Sequence, residues 1–184
     1  MNVVLIGYRC AGKTSVGKEI SKRLGIPFLD TDQLVEQRCG KSVREIVSEG
    51  GWGWFRRMEK EVIRGLASRE GAVISVGGGA VEEQENRDMI RRLGVVIWLS
   101  VHSSAVLQRM KEDEITFRNR PPLSDRGTEE ETIDKLRERI PIYRGLAQLT
   151  VDTTAKGIEA VAGEICRLLA ARGPGFRPDV SQEG

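Results

Sequence analysis

The chain has 184 residues, with 29 Lys+Arg against 27 Asp+Glu and one His, and 39% of it is hydrophobic. That length suits a single domain, since domains commonly span about 100–200 residues, and a formal charge of +2 excludes bulk attraction to nucleic acid. No apolar run reaches the roughly 20 residues of a membrane span, and Met1 leads directly into a strand-like run, so neither a membrane segment nor a signal peptide is expected.

Asn2–Ile6 (NVVLI) is short and Val/Ile-rich, which predicts a buried strand, and Lys13–Leu24 follows with helical spacing. Residues 27–29 form a brief strand candidate ahead of an acidic turn. Helical patterns then cover 31–38, 43–48 and 54–68. The run 72–76 (AVISV) predicts a third strand, 83–93 a helix, 95–99 (VVIWL) a fourth strand and 103–111 another helix. Residues 112–125 (EDEITFRNRPPLSD) are polar and aperiodic and read as a long exposed loop, of a length usual for lids or disordered segments. Thr128–Leu146 predicts a long helix, 148–151 the last strand and 156–171 the last helix. One domain over 1–172 is expected, with 173–184 as a flexible tail.

Strands alternating with helices imply an α/β fold, a parallel sheet covered on both faces. Ligands then belong at the carboxyl ends of the strands. Cys10, Cys39 and Cys166 are odd in number, distant and without a CxxC pair. That pattern predicts a reducing, cytoplasmic setting rather than a disulfide framework or zinc site. The single His102 follows a strand and is read as a loop or helix-entry residue, so chemistry needing two histidines is excluded.

The first strand ends at Gly7, and GYRCAGKT over residues 7–14 fits the Walker A pattern GxxxxGK[ST]. The spacing has a physical basis: backbone N–H groups of the loop turn toward a phosphate, and the opening helix adds its dipole. Lys13 reaches the β/γ-phosphates and Thr14 offers a hydroxyl to Mg²⁺. Cys10, Ala11, Gly12 and Ser15 complete the expected nucleotide-binding set. A base-reading Asn-Lys-x-Asp motif is missing, which argues against a switch GTPase. Asp30-Thr31-Asp32 follows the second strand, where a carboxylate can hold a metal through water or deprotonate a hydroxyl. Helix N-capping is the competing role for either aspartate. Gly77, Gly78 and Gly79 end the third strand and leave bare backbone for a ligand, or form only a turn.

GYRCAGKT, Asp30-Thr31-Asp32, Phe55-Arg56-Arg57-Met58-Glu59, the three glycines, Arg120-Pro121-Pro122-Leu123 and Pro141-Ile142-Tyr143-Arg144 together resemble the shikimate kinase family, in order and in approximate spacing. The resemblance implies the nucleoside-monophosphate-kinase fold, with a five-stranded parallel sheet in the order 2-3-1-4-5 and a mobile lid. It implies transfer of the γ-phosphoryl group of ATP to the 3-hydroxyl of shikimate, with Mg²⁺, on the route to chorismate and the aromatic amino acids. Residue by residue, Thr14 and Asp30 would hold the metal, and Lys13, Asp32 and Arg120 would be catalytic, Asp32 as base. Arg56 and Arg144 would grip the shikimate carboxylate, and Gly77, Gly78 and Gly79 would contact its ring. The helices within 31–68 would carry much of this acceptor site. Arg109 would pack on adenine, and Arg120 would close onto the ATP phosphates.

Alternatives stand beside several of these roles. On a helix Arg56 and Arg57 point roughly 100° apart, so only one faces the substrate. Arg118 competes with Arg120 in the lid, and Arg144 could instead complement a helix C-terminus. The family usually has Gly where Cys10 stands, which puts a Cβ and a thiol beside the phosphates. A gluconate or nucleotide kinase would share the phosphate loop, and a non-catalytic ligand sensor is the alternative from another class. A monomer is expected, with ATP and shikimate as its small-molecule partners and neither nucleic acid nor membrane among them. Arg supplies 21 of the 29 basic residues, which carries meaning only at these few positions.

Overall fold

The computed structural model describes residues 1–112 and 128–173. Strand β1 (Asn2–Ile6) leads into helix α1 (Lys13–Leu24), and β2 (Phe28–Asp30) runs directly into α2 (Thr31–Cys39). Helix α3 (Val43–Gly65), β3 (Val73–Ser75), a 3₁₀ turn (Ala80–Glu82) and α4 (Gln84–Leu93) follow. The chain continues through β4 (Gly94–Ser100), α5 (Ser103–Glu112), α6 (Thr128–Leu146), β5 (Leu149–Asp152) and α7 (Ile158–Ala171). All four strand pairings are parallel, in the order β2-β3-β1-β4-β5.

Side chains alternate across a strand, so a sheet covered on both sides demands apolar residues at every position. Val4, Ile6, Ile74, Val96 and Trp98 point to one face, where α3, α4 and α6 supply Ile63, Ile90 and Tyr143. Val3, Leu5, Val73, Val95 and Ile97 point to the other, against Val16 and Ile20 of α1 and Ile165 of α7. The short Val/Ile runs were legible as strands for this reason.

Two boundaries differ from expectation. The second strand lies one residue later than 27–29, with Asp30 as its last residue opposite Ser75. Pro27, lacking an N–H, contributes only its carbonyl, which accepts from Val73 N at 2.9 Å. The helical patterns at 43–48 and 54–68 form one bent element, with Gly51 at φ 70°, ψ 174° making the bend. Ser42 and Glu45 close a reciprocal capping box at its start. This arm packs on α2 through Val35, Val43, Ile46, Phe55 and Val62, a small core of its own beside the sheet. The lid expected over 112–125, apart from Glu112, and the tail beyond Gly173 lie outside the described residues.

Candidate active site

The strand ends converge on two adjoining cavities. The larger is lined by the phosphate loop from Arg9 to Ser15, by Asp30 and Asp32, and by Arg109, Thr153 and Lys156. The smaller lies between the sheet edge and the α2–α3 arm, and is lined by Asp32, Trp52, Phe55, Arg56, Glu59, Gly77, Gly78, Gly79 and Arg139 among others. The first has room for a nucleotide, and the second suits a compact ring.

The phosphate loop wraps around Lys13, whose Nζ donates to the carbonyls of Gly7 at 2.8 Å and Tyr8 at 3.0 Å. Helix α1 opens behind Gly12 with no side-chain cap, leaving its first N–H groups for a ligand. Cys10 is the one described non-glycine residue at positive φ, 58°. That left-handed backbone is why glycine is the easier residue here. The Cys10 carbonyl accepts from Arg109 Nη1 at 3.1 Å. Arg109 Nη2 donates to the Thr153 carbonyl at 2.5 Å, tying α5 to the loop after β5. These bonds use the guanidinium edge and leave its planar faces for stacking.

Asp30 serves two partners. Its Oδ1 accepts from Asp32 N at 3.0 Å as the N-cap of α2, and its Oδ2 accepts from the Thr14 hydroxyl at 3.0 Å. The capping and ligand-facing roles therefore coexist on one carboxylate. Asp32, in the first turn of α2, lines both cavities. Between the aspartates, the buried Thr31 hydroxyl accepts from Gly77 N at 2.9 Å and fixes the start of the glycine run.

Two glycines of that run, Gly77 and Gly79, meet a neighbour that a Cβ would strike. At Gly77 it would collide with Glu59 Oε1 and come within 2.7 Å of Asp32 Oδ1. At Gly79 it would collide with the Arg56 guanidinium. Gly78 is held by its carbonyl, which accepts from the Tyr143 hydroxyl at 2.6 Å.

Arg56 faces the smaller cavity, and Arg57 is exposed, as their rotation around α3 requires. Arg56 Nη1 donates to Glu59 Oε2 at 2.6 Å, and its guanidinium lies over the rings of Trp52 and Phe55. Glu59 is fully buried, and burial pushes its carboxyl up to about 7, against the opposing pull of the Arg56 cation. Asp32 adds to the upward shift. Among the described residues, Oε1 of Glu59 has no hydrogen-bond partner.

Arg144 does not join this group. It is exposed and does not line the cavity; Arg139 does, at 5% exposure, with Nε donating to Glu82 Oε1 at 2.9 Å. Five residues rotate a helix by about 140° beyond a full turn, so the two cannot share a face. Arg139 and Tyr143 are four apart and do share one. Helical spacing back from Tyr143 was the signal that could have located Arg139. Arg120 and its rival Arg118 lie outside the described residues. Arg9, Trp52, Glu59 and Lys156 also line these cavities, although sequence reasoning gave none of them a role.

The shikimate kinase family model matches residues 9–170. A shikimate kinase of Moorella thermoacetica is 40% identical over 170 residues, covering 92% of this chain and 95% of that protein. One from Syntrophus aciditrophicus is 38% identical over 174 residues, covering 90% and 89%. Among solved structures, a shikimate kinase from Acinetobacter baumannii in complex with shikimate superposes with a TM-score of 0.87 at 33% identity, covering 94% of each chain. The Aquifex aeolicus shikimate kinase gives 0.80 at 33% identity, covering 96% of this chain and all of the other.

Proposed function

The chain belongs to the shikimate kinase family, and on that premise we propose that it phosphorylates the 3-hydroxyl of shikimate with ATP at the junction of its two cavities. One observation carries the assignment of the site. The phosphate loop and a small cavity lined by Arg9, Arg56 and Arg139 adjoin, with Asp32 lining both.

Shikimate is a small anion with vicinal hydroxyls, so recognition needs a cationic fork, a carboxylate that reads hydroxyls and close backbone. Arg56 and Arg139 supply the fork, and Asp32 the carboxylate. Gly77, Gly78 and Gly79 supply backbone without a Cβ. Asp32 accepts the 3-hydroxyl proton as that oxygen bonds to the γ-phosphorus and the bond from the γ-phosphorus to the β,γ-bridging oxygen breaks, leaving ADP. Lys13 and the loop N–H groups neutralise charge as it moves to the leaving oxygen. Arg109 offers a guanidinium face to the adenine, and Arg120 is the proposed lid contact to the phosphates.

The Thr14 hydroxyl and Asp30 carboxylate, 3.0 Å apart, are hard oxygen donors beside the phosphate loop. They fit Mg²⁺, which prefers one or two protein oxygens plus phosphate and water. When bound, the ion supplies charge neutralisation at the β- and γ-phosphates.

Residues 1–172 act as one catalytic unit in this reading, with a lid over 112–125 and a tail over 173–184, working as a monomer in the cytoplasm. No helix among the described residues is long and apolar enough to cross a membrane. A coupled ADP-release assay with Mg²⁺ and a panel of shikimate, gluconate and a nucleoside monophosphate tests the function. Turnover with shikimate alone is expected. Turnover only with gluconate or a nucleotide would overturn it.

A further inference from the structure

Three residues line both cavities: Arg9, Asp32 and Gly77. Any group that passes from the nucleotide side to the acceptor side passes them. Asp32 is the proposed base, and Gly77 keeps the passage clear of a Cβ. Arg9 has no assigned part. It occupies a variable position of the GxxxxGK[ST] pattern, so the loop's fold makes no demand for a cation there.

The surroundings of Arg9 single it out from the other arginines of the site. Its guanidinium carbon lies 5.6 Å from the centre of the Tyr8 ring, itself only 1% exposed. The Arg139 guanidinium carbon lies 5.5 Å from the same centre, so one aromatic ring holds both cations. Arg56 is paired with Glu59, Arg139 with Glu82, and Arg109 with backbone carbonyls. Arg9 is half-buried and, among the described residues, makes no ion pair and no side-chain hydrogen bond. A half-buried cation held on an aromatic face, without a carboxylate partner, is arranged for an anion that arrives with the ligands.

The anion can be narrowed by elimination. The acceptor carboxylate already has Arg56 and Arg139, and the loop N–H groups and Lys13 meet the β- and γ-phosphates from the nucleotide side. The γ-phosphoryl group is what crosses the junction. We propose that Arg9 is a further catalytic residue, whose guanidinium contacts the equatorial oxygens of the γ-phosphoryl group during transfer and then the new phosphate ester. The proposal rests on the reading of the two cavities as ATP and shikimate sites. It gives the loop an arginine in cis for the charge that spreads over those oxygens in the transition state.

The test compares the unsubstituted chain with Arg9→Met and Arg9→Lys. It uses steady-state kinetics, calorimetric binding of shikimate and of shikimate 3-phosphate, and urea unfolding. Arg9→Met is expected to lower kcat by roughly 10-fold or more, as loss of a transition-state arginine does, while the KM values for ATP and shikimate stay within about threefold. Binding of shikimate 3-phosphate should weaken with that of shikimate unchanged, and Arg9→Lys should recover part of kcat. A kcat within twofold of the unsubstituted chain overturns the proposal. So does a raised KM for shikimate at constant kcat, which would make Arg9 a carboxylate ligand. Equal weakening of both ligands with a lower urea midpoint also overturns it, leaving Arg9 a structural support for Tyr8. Absence of shikimate phosphorylation by the unsubstituted chain overturns the functional reading and this proposal with it.

Discussion

Arg56 and Glu59 meet across one turn of α3, with Nη1 donating to Oε2 at 2.6 Å, and the pair fixes where the guanidinium points in the acceptor cavity. The helix alone places residues three apart on neighbouring positions. Burial supplies the rest, because the Glu59 side chain is fully enclosed while Arg56 keeps 19% of its side chain accessible to a ligand. A carboxyl held this way binds its proton more tightly in the folded chain than in the unfolded one. Its contribution to stability is therefore present below pH 4.5 and is lost as pH rises through about 7. Between pH 5 and pH 8, Glu59→Gln should lose less stability than the unsubstituted chain, by about 1–3 kcal/mol. Urea unfolding at the two pH values measures the difference, and equal losses would mean that Glu59 is ionised throughout.

Arg139 and Arg144 have opposite expected behaviour. Arg139→Ala should raise the KM for shikimate by roughly 30-fold or more, since an unpaired buried carboxylate costs about 2–5 kcal/mol. Arg144→Ala, on the exposed face of α6, should leave the KM within about twofold. Kinetics of the two variants decide between them, and a large effect confined to Arg144→Ala would mean that the acceptor carboxylate lies elsewhere.

Gly79→Ala tests the same cavity from its backbone wall. A Cβ there strikes the Arg56 guanidinium, so the arginine must leave its place over Trp52 and Phe55. The expected result is a KM for shikimate raised by roughly 10-fold, about 1–2 kcal/mol as for overpacking elsewhere, with the KM for ATP unchanged. Comparable losses for both substrates would mean that the glycine run acts on the phosphate loop instead.

What the sequence made legible follows from which features are contiguous. The strands were plain because burial on both faces leaves no polar alternation. The phosphate loop was plain because seven successive residues after Gly7 do one task. Asp30 and Asp32 were placed together by adjacency, although adjacency did not reveal that one carboxylate both caps α2 and meets Thr14. Arg139 was missed because its link to the site runs through helix rotation and the Tyr143 bond to Gly78, not through the motif that contains Arg144. Arg9 sat in plain view at a position the loop pattern leaves open. Only the adjoining of the two cavities shows that this position faces both.

In the proposed reaction a phosphoryl group crosses from the loop side to the acceptor side at Asp32, Gly77 and Arg9. Phosphorus NMR of the chain with ATP, Mg²⁺ and shikimate follows that group directly. Loss of the γ-phosphate signal should be matched, mole for mole, by a phosphate monoester coupled to the proton at C3 of shikimate. Release of inorganic phosphate in place of the ester, or a γ-signal unchanged by shikimate, would mean that the group is not transferred to shikimate there.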